Sequence, residues 1–159
     1  MPLSDAFEKF PQLKTKNLLL RRMHISDANT LYNVLSDEAV TEFYDDDAFT
    51  DVAQAIDQIE AWERGYNNRG CIRWGITSKD DGFIIGSCGY YGFHTWNLRA
   101  SIGYELKSSH WRRGIMTEAL RAMIDFGFGE LELNRIEAVV MPANIILQLA
   151  GEAPSSGFP

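Results

Sequence analysis

The stretch of residues 102–120, IGYELKSSHWRRGIMTEAL, decides the fold of this chain. Residues 102–106 read as a strand, a short polar loop follows, and residues 114–131 carry apolar side chains at helical spacing. The next segment, residues 135–141, is rich in β-branched residues and predicts another strand. A strand, a helix and a second strand in this order predict a βαβ unit.

The junction between this strand and this helix is suited to bind an anion. The first backbone N–H groups of a helix lack internal partners, and the helix dipole places partial positive charge there. Gly114 permits close backbone approach, Arg112 and Arg113 add charge that matches phosphate, and Thr117 adds a hydroxyl donor. The junction predicts a pyrophosphate site. The alternative is an ordinary helix start with two solvated arginines, and neither a Walker loop nor a GxGxxG fingerprint is present.

The remaining patterns place this unit within a larger mixed sheet. A capped helix is predicted from Ser26 or Asp27, and a second one from Thr50 or Asp51. The other predicted elements are a loose lead-in over 1–16, strands over 18–20, 71–77, 83–93 and 100–106, a loop at 45–47 and a turn at 80–82. We therefore predict an α+β (mixed α/β) fold in one domain over residues 1–159, with helices on the sheet faces.

Composition narrows the class of function. The 159 residues carry a formal net charge of -7, which argues against nucleic acid and mildly favours a cationic or amine-bearing partner. Cys71 and Cys88 lie in apolar strands without metal-site spacing, so we expect buried thiols and no metal. No apolar run is long enough to span a membrane, and the N-terminal residues lack the pattern of a signal peptide. A cytoplasmic location without a membrane partner is the expectation.

The same stretch resembles the acetyl-CoA motif of the GCN5-related N-acetyltransferase (GNAT) superfamily, in its RimJ/RimL form. Upstream, LLLRRMHISDANTLYNVLSDEAVTEFY is similar to the family's first strand and helix, and FIIGSCGYYGF to its central hairpin strand. Downstream, NRIEAVVMPANI is similar to the strand that follows the coenzyme helix. The resemblance covers residues 17 to about 145, and it implies the GNAT acyl-CoA N-acyltransferase fold with a mixed, mostly antiparallel sheet.

The resemblance also implies roles for the matched positions, with acetyl-CoA as cosubstrate. Asn144 matches an Asn that the family uses near the pantetheine, while Trp111 stands where the superfamily often has Gln or Arg. Backbone groups of one short segment would hold the pantetheine arm, namely those of Tyr104, Glu105 and Leu106. Backbone groups of a second segment would hold the pyrophosphate, namely those of Arg112, Arg113, Gly114, Ile115, Met116 and Thr117.

Glu105 is the leading candidate for the general base, acting through water. It lies on the strand proposed to hold the thioester, and strand alternation turns its side chain away from Tyr104 and Leu106. A structural carboxylate or a salt-bridge partner is the alternative. His24, His94 and His110 are further base candidates that are better placed at the surface, and four aromatic side chains could line an acceptor cleft or belong to the core, namely Trp74, Tyr90, Tyr91 and Trp96.

After Asn144 the chain departs from the family pattern. The family continues with a helix carrying a Ser that can serve as general acid, and then with two more strands. Here residues 145–159 read IILQLAGEAPSSGFP, so the part after about 145 is atypical or truncated. A truncation or frameshift is one hypothesis, and an unpaired sheet edge left by the short tail would favour a homodimer.

The predicted reaction is direct attack of a primary amine on acetyl-CoA in a ternary complex, because neither cysteine has the positive setting of a nucleophile. The resemblance favours the N-terminal amine of a protein, such as a ribosomal protein, as the acceptor. A small amine is almost as strong a candidate. The alternative is a non-catalytic acyl-CoA-binding module with a degraded active site. A structural role without coenzyme comes third.

Overall fold

The computed structural model describes residues 3–42, 47–94, 96–140 and 145–149. The described helices are α1 (Leu3–Ala6), α2 (Ala28–Leu35), α3 (Glu38–Thr41), α4 (Val52–Asn67) and α5 (Ile115–Gly129), with short 3-10 turns at Ile25–Asp27 and Ser108–His110. The described strands are β1 (Leu13–Lys14), β2 (Leu18–Arg21), β3 (Cys71–Ser78), β4 (Ile84–His94), β5 (Arg99–Leu106), β6 (Arg135–Val140) and β7 (Ile145–Leu149).

The described strands form one sheet in the order β1-β2-β3-β4-β5-β6-β7. Neighbours from β1 to β5 are antiparallel, β5 and β6 are parallel, and β6 and β7 are antiparallel. A parallel pair needs a crossover connection, and α5 supplies it between β5 and β6. The predicted βαβ unit within a mixed sheet is confirmed.

Helices cover both faces of this sheet, as predicted. On one face, α5 packs against fully buried side chains of the central strands, and the rings of Trp74 and Phe126 meet edge to face at 5.9 Å. On the other face, α2 and α4 pack against Met23 and Ile84. Successive side chains of a central strand therefore point to opposite faces of the sheet. We call the face covered by α5 the α5 face and the opposite one the α4 face.

The start of α4 was predicted correctly, and that of α2 in part. The Asp51 carboxylate accepts the Ala53 N–H at 2.9 Å, and Gln54 Oε1 accepts the Asp51 N–H at 3.1 Å. Together these bonds form a capping box. Asp27 precedes α2, yet its carboxylate turns back to accept the His24 N–H at 2.8 Å and pairs with Arg21. It therefore fixes the preceding 3-10 turn instead of capping α2.

The prediction of a loose lead-in over residues 1–16 is wrong for its described part. This segment contains α1 and β1, and one side chain of α4 and one of β3 donate hydrogen bonds to its backbone. The Tyr66 hydroxyl donates to Ala6 O at 2.6 Å, and the Trp74 indole N–H donates to Pro11 O at 2.6 Å. The Phe7 and Phe10 rings pack on Tyr66, so the apolar patch in the lead-in is part of the core.

β6 is followed by a strand that the sequence analysis did not predict. Residues 145–149 form β7, with partners from Ile136↔Leu149 to Val140↔Ile145. The edge of β6 is therefore paired, and β7 is the last strand of the described sheet. Four of the five residues of this segment are apolar, and such a short apolar run is consistent with a strand. Asn144 and residues 150–159 lie outside the described residues.

Among the described residues, no helix has the length and the apolar content that a membrane crossing requires.

Gly127 leaves space for Tyr90, and this contact can be tested. A Cβ at Gly127 would lie 2.1 Å from the Tyr90 hydroxyl oxygen, which donates to Met123 O at 2.6 Å. Gly127→Ala should therefore lower the free energy of unfolding by about 1–3 kcal/mol through overpacking, although Ala favours helix.

The matched control is Gly129→Ala, because a Cβ there meets nothing within 4 Å. It should leave stability unchanged or raise it by up to about 1 kcal/mol. Urea denaturation of both variants is the measurement, and equal unfolding free energies would contradict the assigned contact.

Candidate functional site

The strands β5 and β6 separate in the middle of the sheet. Their ladder runs from Arg99↔Arg135 to Ile102↔Ala138 and stops there, although β5 continues beside β4 to Leu106 and β6 continues to Val140. Two parallel strands that stop pairing while both continue leave a wedge between them. The backbone of residues 103–106 lines one side of this wedge.

The loop after β5 is fixed to the strand that it leaves. The Trp111 indole N–H donates to Leu106 O at 2.8 Å, so the residue that departs from the common family pattern has a defined structural task. Arg112 and Gly114 both have positive φ, at 63° and 76°. Such left-handed residues in a turn direct successive backbone N–H groups toward a common concavity, which suits an anion.

The helix α5 begins directly at this loop. Gly114 is its N-cap, and the Glu118 N–H makes a bond back to Gly114 O at 3.0 Å. The backbone N–H groups of Ile115 and Met116 precede that bond and belong to the first turn, where the helix dipole is positive. Arg112 and Arg113 are exposed beside them. The arrangement can bind a polyanion next to the wedge.

Glycine at position 114 is needed for its backbone conformation. A Cβ there would meet nothing within 4 Å, so packing does not exclude a side chain. A φ of 76° is strained for any residue with a Cβ, and the open space above Gly114 is where a bound group could approach the backbone.

Two carboxylates tie this loop and helix to the rest of the fold. Asp37 accepts the Ser108 N–H at 3.3 Å and the Ser108 hydroxyl, and these bonds lower the pKa of Asp37. Glu118 accepts both the backbone and the side-chain amide N–H of Asn17 at 2.9 Å. Sequence analysis missed both contacts because their partners are 71 and 101 residues apart. The N-cap position of Asp37 before α3 was the available signal for that residue.

Glu105 lies on the α4 face of β5, opposite to Tyr104 and Leu106, which pack with the α5 core. It is buried, forms an ion pair with Arg73 and accepts the Ser87 hydroxyl. The alternation expected for the strand is therefore present. The salt-bridge partner that the sequence left open as an alternative is Arg73.

The Arg73 side chain lies flat across the sheet between β4 and β5. Its Nε donates to Ser87 Oγ at 2.9 Å, and its guanidinium carbon is 4.8 Å from the Trp62 ring centroid. Glycines on the two neighbouring strands make room, because a Cβ at Gly89 would be 3.0 Å from Arg73 Cδ and one at Gly103 would be 2.9 Å from Arg73 Nη1. Sequence analysis missed Arg73 and Ser87, although a charged residue inside the apolar strand 71–77 was a signal.

The other candidate side chains divide between core and surface. Trp74 and Tyr90 are buried on the α5 face, so they do not line a cleft. Tyr91 lies on β4 with 45% of its surface exposed, beside Gly103. Trp96 is exposed in the turn after β4. Tyr91 alone of these four stands on the Glu105 side, next to the wedge.

His24 and His94 are exposed. His110 is half-buried at the start of the loop between β5 and α5, and burial together with Arg113 and Lys107 lowers its pKa. These positions fit the surface placement that the sequence favoured.

The two cysteines are poor nucleophiles. Burial raises the pKa of Cys88 to about 12, and burial also raises the pKa of Cys71. Among the described residues, no group of three or more His, Cys, Asp or Glu side chains comes together to hold a metal ion.

Residues 17–148 of the chain match the family model described as the acetyltransferase (GNAT) domain. The chain is 41% identical over 132 residues to the "Uncharacterized N-acetyltransferase p20" of Bacillus licheniformis, covering 83% of this chain and 74% of that protein. It is 36% identical over 135 residues to the "Uncharacterized N-acetyltransferase YoaA" of Bacillus subtilis, covering 85% and 76% of the two chains.

Among solved structures, Mycobacterium smegmatis RimJ, which was solved in complex with CoA-disulfide, shares the fold. Its TM-score is 0.70 at 22% sequence identity, and the match covers 84% of this chain and 68% of that chain. The matched family model spans the wedge, the loop and α5, and both relatives are named as N-acetyltransferases. The chain belongs to the GNAT acetyltransferase family and is an N-acetyltransferase of that type.

Proposed function

We propose that this N-acetyltransferase transfers the acetyl group of acetyl-CoA to a primary amine by direct attack in a ternary complex. The observation that carries the proposal is the left-handed loop at the start of α5, which lies beside the wedge between β5 and β6. The loop offers an anion site for the pyrophosphate, and the wedge offers strand backbone for the pantetheine arm.

The proposed contacts follow this geometry. Backbone groups of Tyr104, Glu105 and Leu106 take the pantetheine, and the backbone of residues 112–117 takes the pyrophosphate. Arg112 and Arg113 are exposed at the same end and add charge-assisted bonds. Asn144 remains a proposed pantetheine contact from the family resemblance alone.

The chemistry requires a neutral amine and a stabilised oxyanion. The amine nitrogen attacks the thioester carbon, a backbone N–H of β5 stabilises the developing oxyanion, and the C–S bond then breaks. The amine gives up one proton, and the departing CoA thiolate takes up one. No protein thiol is acylated, in keeping with the raised pKa of both cysteines.

Glu105 is proposed as the base that receives the amine proton through water. A second proposed role for the same carboxylate, which also pairs with Arg73 and accepts a bond from Ser87, is to balance positive charge on the acceptor. Both roles place the acceptor on the α4 face of β5. Tyr91 is exposed on that side and bounds the space next to Gly103.

A protein N-terminal amine is the proposed acceptor class, and a small amine is the alternative. The RimJ/RimL resemblance supports the first, and the matched fold of RimJ is in keeping with it. The decisive experiment is a panel of N-terminal peptides and small amines scored for CoA release with a thiol reagent. Release with a peptide and not with alkylamines is expected.

A non-catalytic acyl-CoA-binding module is the second candidate. The involvement of Glu105 in a buried ion pair favours it, because that carboxylate is already neutralised. Calorimetric titration with CoA gives binding under both hypotheses, whereas CoA release in the presence of an amine occurs only with the enzyme.

Gly114→Ala should weaken CoA binding on the order of tenfold, or about 1.4 kcal/mol, because the new Cβ enters the space through which phosphate approaches. Gly82→Ala is the matched control, because Gly82 also has positive φ and open space but lies in the turn before β4. Both variants should lose about 1 kcal/mol of stability from the left-handed conformation. Calorimetry that gives both variants the same Kd for CoA would contradict the pyrophosphate site.

Glu105→Gln should lower kcat by roughly 100-fold if Glu105 is the base, and the loss should shrink at high pH, where the amine deprotonates unaided. It should also destabilise the protein by about 3 kcal/mol, because Arg73 keeps a buried charge. A pH–rate profile and urea denaturation measure the two effects.

The double variant Arg73→Gln with Glu105→Gln is the control for charge balance. It should recover stability, because no buried charge is left unpaired. If Glu105 is the base, kcat at saturating acceptor stays low in the double variant. Recovery of kcat together with stability would remove Glu105 from proton transfer.

Direct attack also predicts that alkylation does not inactivate the native protein. With a pKa of about 12 for Cys88, only about one thiol in ten thousand is ionised at pH 8. Iodoacetamide at pH 8 should leave kcat unchanged and Cys88 unmodified by mass spectrometry, while the same treatment in guanidinium should modify both cysteines. Loss of activity in step with modification of either cysteine would point to a thiol intermediate.

A further inference from the structure

The Arg73 guanidinium retains a donor group that the fold does not use. Nε donates to Ser87 Oγ at 2.9 Å and Nη2 pairs with Glu105, whereas Nη1 makes no hydrogen bond within the described part of the chain. The side chain is 12% exposed, so part of it reaches solvent. A cation with an unused N–H pair on the α4 face of the central strands is available to a ligand.

This donor stands above the strand that is proposed to carry the thioester. Nη1 is 2.9 Å from the point that a Cβ on Gly103 would occupy, and Tyr91 Cε1 is 3.8 Å from the same point. Gly103 directly precedes Tyr104, at the position where β5 leaves β6. An acceptor that reaches the thioester from the α4 face therefore approaches beside Arg73 and Tyr91.

The guanidinium is held in place before any ligand arrives. Trp62 covers it at 4.8 Å, and Ser87 and Glu105 bond to its other edges. A fixed planar donor loses little rotamer freedom on binding, so its bond to a ligand is specific in direction.

We propose that Arg73 binds the carbonyl or carboxylate oxygen adjacent to the amine-bearing carbon of the acceptor. A guanidinium attracts such an oxygen and repels an ammonium group, so it cannot be the group that receives the amine itself. This inference rests on the proposed function and makes Arg73 a specificity-determining residue. It selects α-amino acids and peptide N-termini over alkylamines.

The test compares an amino-acid amide, phenylalaninamide, with phenethylamine, which lacks the carboxamide. Calorimetric titration into the CoA-loaded wild type should give at least tenfold tighter binding for the amide. Arg73→Lys should abolish this difference, because Lys keeps the charge but its single ammonium cannot bond to Ser87 and Glu105 and also reach the space above Gly103. Arg64→Lys, an exposed residue of α4, is the matched control and should keep the difference.

A second variant keeps both residues of the ion pair. Gly103→Ala would place a Cβ 2.9 Å from Nη1, which must shift this end of the guanidinium, and should lose amide binding without loss of charge. It replaces Arg73→Lys if that variant does not fold.

The outcomes separate this inference from the proposed function. Equal binding of the two compounds to the wild type, or an equal loss for both in the variants, would overturn the role of Arg73. Discrimination in binding that is lost in the variants, without any CoA release by the wild type, would support that role while overturning the proposed enzymatic function.

Discussion

The parallel pairing of β5 and β6 is the constraint on which the site depends. Parallel neighbours cannot be joined by a tight turn, so a crossover helix must leave the end of β5 and return the chain to the start of β6. This requirement places the N-terminus of α5 directly beyond the end of β5. The wedge and the loop before α5 are adjacent because one connection creates both.

The residues of β5 that pack in the core and the residue that is proposed to act in the reaction lie on opposite faces of the strand. Tyr104 and Leu106 turn toward α5 and join the apolar core, whereas Glu105 turns toward α4 and meets Arg73. A charged pair with so little exposure is tolerated because Ser87 supplies further hydrogen bonds and glycines leave the guanidinium its space. Compared with two apolar residues, the pair adds little stability, although removal of one partner alone is costly, and it holds both groups in fixed positions.

Several elements were predictable because their signals are local. The apolar run over residues 71–77 predicts a strand. The N-cap at Asp51 marks the start of α4, and apolar residues at helical spacing after a glycine in the loop predict α5. The lead-in and β7 were missed for a different reason. The lead-in is held by bonds from Tyr66 and Trp74, and β7 exists through its partner β6, so neither is fixed by its own sequence.

The sequence by itself determined the order of the main elements from β2 to β6, the glycine loop before α5 and the alternation that separates Glu105 from its neighbours, because each depends on backbone preference or spacing within a few residues. Only the tertiary structure decided what Glu105 contacts. Arg73 and Ser87 lie 32 and 18 residues away from it along the chain, and sheet register brings them together. Register depends on the packing of whole strands, which no local stretch of sequence specifies.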